Sequence, residues 1–202
     1  MTESAPLAPS NPYSATKAAA ECIAMAYSKS FNVPIIITRS NNVYGPFQYP
    51  EKIIPKFICS LLLDKPCFIH GDGSNTRRYL YATDLAEAIA LVLHKGVIGE
   101  TYNIGSDVEL SNISIAKLLL KQFNITNIEK YCRFVEDRAF NDKRYAIDST
   151  KIQRLGWSPK VDFVDGIKKT VEWYRIYHNN WWDTRIEEAL IAHPSRIEPK
   201  LK

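Results

Sequence analysis

The sequence predicts an α/β fold, and three observations carry that reading. Strand-like and helix-like stretches alternate along the whole chain. Val33-Pro34-Ile35-Ile36-Ile37-Thr38 is continuously apolar, as in strands covered by helices on both faces. Residues 13–30 form an alanine-rich helix with apolar side chains pointing in nearly every direction, which predicts burial on several sides.

Taken in order, residues 1–12 are polar and carry Pro6, Pro9 and Pro12, an irregular approach to the first helix. The strand at 33–38 ends in the turn-forming Arg39-Ser40-Asn41-Asn42-Val43-Tyr44-Gly45-Pro46. Ligands of open parallel sheets sit beyond the carboxyl ends of strands, so these amides are well placed to bind. They serve equally as plain turn residues. Ile53 to Leu63 predicts a helix, with Pro55 tolerable only in its first turn. Cys67–His70 reads as a strand, Gly71–Asn75 as a turn and Tyr79–Tyr81 as a strand. Thr83 is the expected N-cap of a helix running to Lys95. A strand follows at 99–104, then a helix capped by Ser111 or Asn112, a strand at 131–135 and a short helix at 151–155 stopped by Gly156. Val164, Ile167, Val171 and Tyr174 mark one face of a longer helix, and a final helix lies before Pro194.

Composition narrows the function. Twenty-six basic against 22 acidic side chains leave a net charge of +4, too mild and scattered for a nucleic-acid footprint. The longest apolar runs fall far short of a membrane span, and the start shows neither a basic end nor an apolar stretch. A cytoplasmic location is the expectation. Cys22, Cys59, Cys67 and Cys132 are widely spaced in apolar contexts, which predicts buried reduced thiols rather than a metal set.

The chemistry-bearing stretch is Asn11-Pro12-Tyr13-Ser14-Ala15-Thr16-Lys17. Pro12 suits the first helical turn. Tyr13 and Lys17 then stand at i and i+4 on one face. An ammonium beside a phenol stabilises the phenolate and lowers its pKa from about 10 towards neutrality, making the tyrosine a usable general base. The same pentapeptide also fits a solvated lysine and a packed ring. No Gly-x-x-Gly-x-x-Gly or Gly-x-Gly-x-x-Gly turn exists in the chain, although a dinucleotide pyrophosphate normally rests on one.

Several motifs recur together: Asn11–Lys17, Arg39–Pro46, Pro50-Glu51-Lys52-Ile53-Ile54-Pro55, His70-Gly71-Asp72-Gly73, Arg77, Leu80-Tyr81, Tyr102-Asn103-Ile104-Gly105, Asp142-Lys143-Arg144-Tyr145 and Leu155-Gly156-Trp157. In this order and spacing the chain resembles the extended short-chain dehydrogenase/reductases, specifically the nucleotide-sugar 4,6-dehydratases acting on dTDP-glucose or UDP-glucose. The likeness covers nearly all residues but corresponds to the carboxy-terminal part of such an enzyme. The family's Gly-rich turn and its Thr-Asp-Glu triplet lie upstream, so the chain reads as a truncated piece.

The resemblance implies the later part of a Rossmann-like doubly wound parallel sheet, with residues 1–50 from the dinucleotide-binding domain. Residues 51–202 would be mainly a smaller α/β nucleotide-sugar lobe, with segments returning to the sheet. It implies bound NAD, a nucleotide-sugar substrate and a homodimer formed through the helix that starts at Tyr13. Tyr13 would be the base and Lys17 would hold the nicotinamide ribose, with Ser40 and Asn41 lining the nicotinamide side. Asn42, Arg77, Asn103 and Arg138 would contact the substrate phosphates, and Lys52, Ile53, Phe68, Ile69 and His70 would flank the nucleotide. The resemblance also admits a related epimerase or decarboxylase, or a sugar-nucleotide-binding remnant without turnover.

Overall fold

A computed structural model describes residues 1–137, 146–182 and 185–191. Its elements in chain order are α1 (Pro12–Phe31), β1 (Ile37–Ser40), β2 (Asn42–Tyr44), α2 (Ile53–Leu62), β3 (Cys67–His70), β4 (Thr76–Tyr81), α3 (Ala82–Lys95), β5 (Thr101–Ile104), β6 (Glu109–Ser111), α4 (Asn112–Gln122), α5 (Ile128–Tyr131), β7 (Cys132–Val135), α6 (Thr150–Gln153), α7 (Phe163–Trp182) and α8 (Arg185–Leu190). β1 pairs with β5 and β3 with β7, both in parallel, and a further sheet has the order β2-β4-β6. The alternating pattern read from the sequence is thus an α/β structure with parallel strands.

The chain divides into two compact units. The first takes Met1–Val43, Arg78–Val108 and Ala146–Val161; the second takes the described residues among Tyr44–Arg77, Glu109–Tyr145 and Asp162–Lys202.

The first unit is built on the β1–β5 ladder, in register from Ile37↔Thr101 to Ser40↔Ile104. Its core joins Leu80, Ala88, Val92, Tyr102, Ile104, Ile152 and Trp157, with Ile36, Leu85, Leu91 and Leu155 packed against them. Leu85, Ala88 and Val92 follow one another at helical spacing, which turns one stripe of α3 into this core. Asp84, only 2% exposed, fastens the arrangement. Its carboxylate Oδ2 accepts from the Val161 N–H at 3.1 Å, and its carbonyl accepts from Trp157 Nε1 at 3.1 Å. Thr83 does not cap α3; Tyr81 holds the N-cap position without a side-chain bond, because the chain enters the helix directly from β4.

α1 begins as the sequence predicts. Asn11 Oδ1 accepts from the Ser14 N–H at 2.9 Å, Ser14 Oγ accepts from the Asn11 N–H at 3.1 Å, and Pro12 follows at the first turn. Its predicted burial is corrected: no α1 residue is buried, and Ile23, Tyr27 and Phe31 are 58%, 54% and 70% exposed. The expectation of four buried thiols fails for the same reason, since Cys22 on α1 is exposed.

In the second unit α2 is the hub. It buries Ile54, Phe57, Ile58 and Leu61 and packs on α4, which buries Ile115 and Leu119, and on α7, which buries Ile167, Val171 and Tyr174. Complete burial of one such aliphatic side chain contributes about 1.5–3 kcal/mol. Two polar ties hold the aromatic rings in this core. Tyr44 Oη donates to the Phe163 carbonyl at 3.1 Å, and Tyr174 Oη donates to the Gln48 carbonyl.

Burial pushes the thiols of Cys59 and Cys67 from 9.0 up to about 12. The unfolded chain therefore releases these protons first as pH rises. Their contribution to stability is complete below about pH 9 and is lost on the way to about pH 12. Melting temperature is expected to fall over that range more steeply than in a Cys59→Ala, Cys67→Ala variant. Parallel curves for the two proteins would refute this.

Candidate functional site

Each unit carries its own set of the residues singled out from the sequence. In the first unit Tyr13 and Lys17 stand on the opening turns of α1, and both are exposed, Tyr13 by 74%. What holds α1 is a fork of charge. Arg39 of β1 donates Nε to both carboxylate oxygens of Glu21, at 3.0 and 3.1 Å, and Nη2 to Oε2 at 2.6 Å. A bidentate guanidinium–carboxylate pair fixes orientation as well as distance. It joins the helix bearing the Tyr/Lys pair to the strand that ends at Ser40. Sequence reading quoted Arg39 only as the head of a turn-forming stretch and passed over Glu21, since nothing in a sequence pairs residues 21 and 39.

Ser40 at the end of β1 and Asn42 at the start of β2 are exposed, while Asn41 between them is 4% exposed. Asn41 Oδ1 accepts from the Ser106 N–H at 3.1 Å, stitching the end of β1 to the turn after β5. Ser106 Oγ in turn donates to the Tyr79 carbonyl. Asn41 lies so close over Gly105 that a Cβ there would sit 2.1 Å from Asn41 Oδ1. Asn103 is also buried, at 1%, with its N–H donating to Glu3 Oε1 at 3.0 Å and its Nδ2 to the Met1 carbonyl at 3.2 Å.

Two amide atoms of this end of the ladder, Asn41 Nδ2 and Asn103 Oδ1, are buried without a hydrogen-bond partner. An unpaired buried donor and acceptor are costly unless a ligand completes them. The fit to a nicotinamide dinucleotide is therefore partial. Asn41 and the exposed Tyr13 and Lys17 offer polar groups for its nicotinamide end, whereas the chain has no Gly-rich turn for its pyrophosphate.

In the second unit, alternation along β3 buries Cys67 and Ile69 and leaves Phe68 and His70 half-buried. Ile69, 1% exposed, is a core residue; of the four β3 positions only Phe68 and His70 face away from the core. His70 Nδ1 lies 3.1 Å from the Glu136 carbonyl, an acceptor only, so Nδ1 holds the proton and the ring is oriented. The turn after it needs glycine: Gly73 has φ +72°, and a Cβ there would come within 2.7 Å of Ile69 Cγ2. Lys52 caps the start of α2 through its backbone and pairs with Glu51 at 2.9 Å, Ile53 is half-buried, and Arg77 Nη1 donates to the Thr76 carbonyl at 2.7 Å. Arg138 lies outside the described residues.

Among the described residues no cluster of His, Cys, Asp and Glu is arranged to hold a metal ion, and no helix is long and apolar enough to cross a membrane.

The profile of the family described as GDP-mannose 4,6 dehydratase matches residues 1–170, and the chain belongs to that family. Two relatives are each 50% identical to it. One is the human dTDP-D-glucose 4,6-dehydratase, matched over 95% of this chain and 55% of the relative. The other is the Arabidopsis thaliana trifunctional UDP-glucose 4,6-dehydratase/3,5-epimerase/reductase, over 96% and 29%. Among solved structures, the Streptomyces venezuelae dTDP-glucose 4,6-dehydratase with NAD and TYD bound superposes with a TM-score of 0.86 at 42% identity. That match covers 91% of this chain and 56% of that one, so the chain spans about half the length of the dTDP-glucose dehydratases it matches.

Proposed function

We propose that the chain carries the Tyr/Lys and sugar-nucleotide-handling part of a 4,6-dehydratase acting on glucose linked to dTDP or UDP. The observation that carries the reading is the Tyr13/Lys17 pair at i and i+4, on a helix pinned by the Arg39–Glu21 fork to the strand leading into Ser40 and Asn42. The dTDP-glucose and UDP-glucose dehydratases match equally well, which supports a pyrimidine nucleoside-diphosphate glucose and leaves the base open.

In this reading Tyr13, as phenolate beside the Lys17 ammonium, takes the proton of the sugar C4 hydroxyl and becomes the neutral phenol. NAD, when bound, supplies the hydride acceptor for C4 and the donor that later reduces C6. In the first unit Asn42 offers an amide to phosphate oxygens, and in the second Arg77 offers a guanidinium suited to paired oxygens. Phe68 and His70 flank the nucleotide, His70 with its ring fixed by Glu136. The 4-keto group acidifies the C5 proton, so that water leaves from C6. The acidic pair for that elimination is not among these residues. α1 supports a homodimer: Ile23, Tyr27 and Phe31 lie at i, i+4 and i+8, and Tyr27 and Phe31 stack at 5.5 Å into one exposed apolar ridge.

The test is calorimetric titration of the 202-residue chain with dTDP and with UDP. Binding is expected, and Arg77→Ala should weaken it by about 10–100-fold, the worth of a charge-assisted bond. A chain that takes up neither nucleotide, or an Arg77→Ala variant that binds like the parent, would overturn the assignment.

A further inference from the structure

Cys67 and Cys132 are far apart in the chain, but they are register partners on adjacent parallel strands, β3 and β7. Neighbouring strands run about 4.7–4.9 Å apart, inside the Cα separation of roughly 4.4–6.8 Å that a disulfide spans. Both side chains face the core, at 0% and 7% exposure, and both are free thiols. Their proximity is felt electrostatically, because Cys132 adds to the burial that raises the Cys67 thiol.

We propose that Cys67 and Cys132 are a peroxide-sensitive pair that closes a reversible disulfide between β3 and β7. The two cysteines are not equivalent. Cys132 retains some exposure, and the Lys117 ammonium partly offsets its burial, so it meets the oxidant first. Its thiolate attacks hydrogen peroxide, breaking the O–O bond, giving the sulfenic acid and releasing hydroxide, which takes up the thiol's proton as water. Cys67 then attacks that sulfur; its own proton leaves with the hydroxyl group as a second water. Two thiols and one peroxide become one disulfide and two waters, with two electrons passing from sulfur to oxygen. Cys67 gives up only a weak contact, its Sγ lying 3.9 Å from the Phe57 carbonyl. A dithiol reverses the bond by thiol–disulfide exchange. The crosslink falls on the rung next to Phe68, at the head of the strand that also presents His70.

The experiment uses the full 202-residue chain with the exposed Cys22 changed to Ser, to prevent links between molecules. The reduced protein is treated with hydrogen peroxide in native buffer, then unfolded, alkylated and mapped by peptide mass spectrometry. The expected product is one intrachain Cys67–Cys132 link, lighter by two hydrogens and reversed by dithiothreitol. Cys67→Ala should stop the reaction at a Cys132 sulfenic acid that dimedone captures, and Cys132→Ala should leave Cys67 reduced. Peroxide-treated protein whose Cys67 and Cys132 are both still alkylated would overturn the proposal. So would a link made by Cys59, the other buried thiol of this unit.

Discussion

Replacing Tyr13 by Phe is expected to lower dehydratase turnover by about 10²–10⁴-fold, the usual worth of a positioned general base. The assay joins the 202 residues to the part of the human relative that they do not match, and follows the 4-keto product from dTDP-glucose. The substitution keeps the ring and removes only the hydroxyl, on a residue 74% exposed and outside the core, so stability should not change. Lys17→Met should act differently. It keeps the tyrosine but withdraws the ammonium assigned to the nicotinamide ribose, so the NAD concentration that gives half-maximal rate should rise. A Tyr13→Phe chimera that turns over like its parent would end the assignment of Tyr13 as base.

Gly105→Ala is expected to destabilise the first unit by about 1–3 kcal/mol, the range for forcing an extra methyl into a packed site. The added Cβ would sit 2.1 Å from Asn41 Oδ1, 3.0 Å from Asn41 Cγ and 3.2 Å from Ile147 Cγ1. Asn41 cannot retreat without releasing the Ser106 N–H that it accepts. Gly105 is not in the left-handed region, so the cost is one of contact and not of backbone strain. Pairing the change with Asn41→Ser should recover part of the loss, because the shorter side chain vacates the contested space. Hydrogen exchange of β5 and α3 amides reads the effect locally. Protection in Gly105→Ala equal to that of the parent would refute the steric account.

Local rules of the chain were legible in advance. The Asn11–Pro12–Ser14 start of α1, the tolerance of Pro55 in the first turn of α2 and the Ser111 cap of α4 all depend on neighbours within a few residues. Boundaries set by pairing were less so. β1 begins at Ile37 and not at Val33, because its extent is decided by the β5 residues it meets. β4 begins at Thr76, three residues before the apolar Tyr79 that signalled it. The burial of α1 was misjudged since an apolar surface announces that a cover is wanted, not that the chain provides one. At the candidate site, residue identities were readable but their relations were not. The Arg39–Glu21 fork, the Asn41–Ser106 stitch over Gly105 and the Cys67–Cys132 rung each join residues far apart in the chain.

The interleaving of the two units along the chain has a consequence for synthesis. The first unit needs Met1–Val43, then Arg78–Val108, then Ala146–Val161, so its last core side chains, Ile152 and Trp157, leave the ribosome after most of the second unit. β1 waits for β5 across a long intervening segment, a closure that slows folding. Until then the β1–β5 ladder is unmade and the apolar Ile35, Ile36 and Ile37 lack the cover it brings, the kind of segment that holdase chaperones shield.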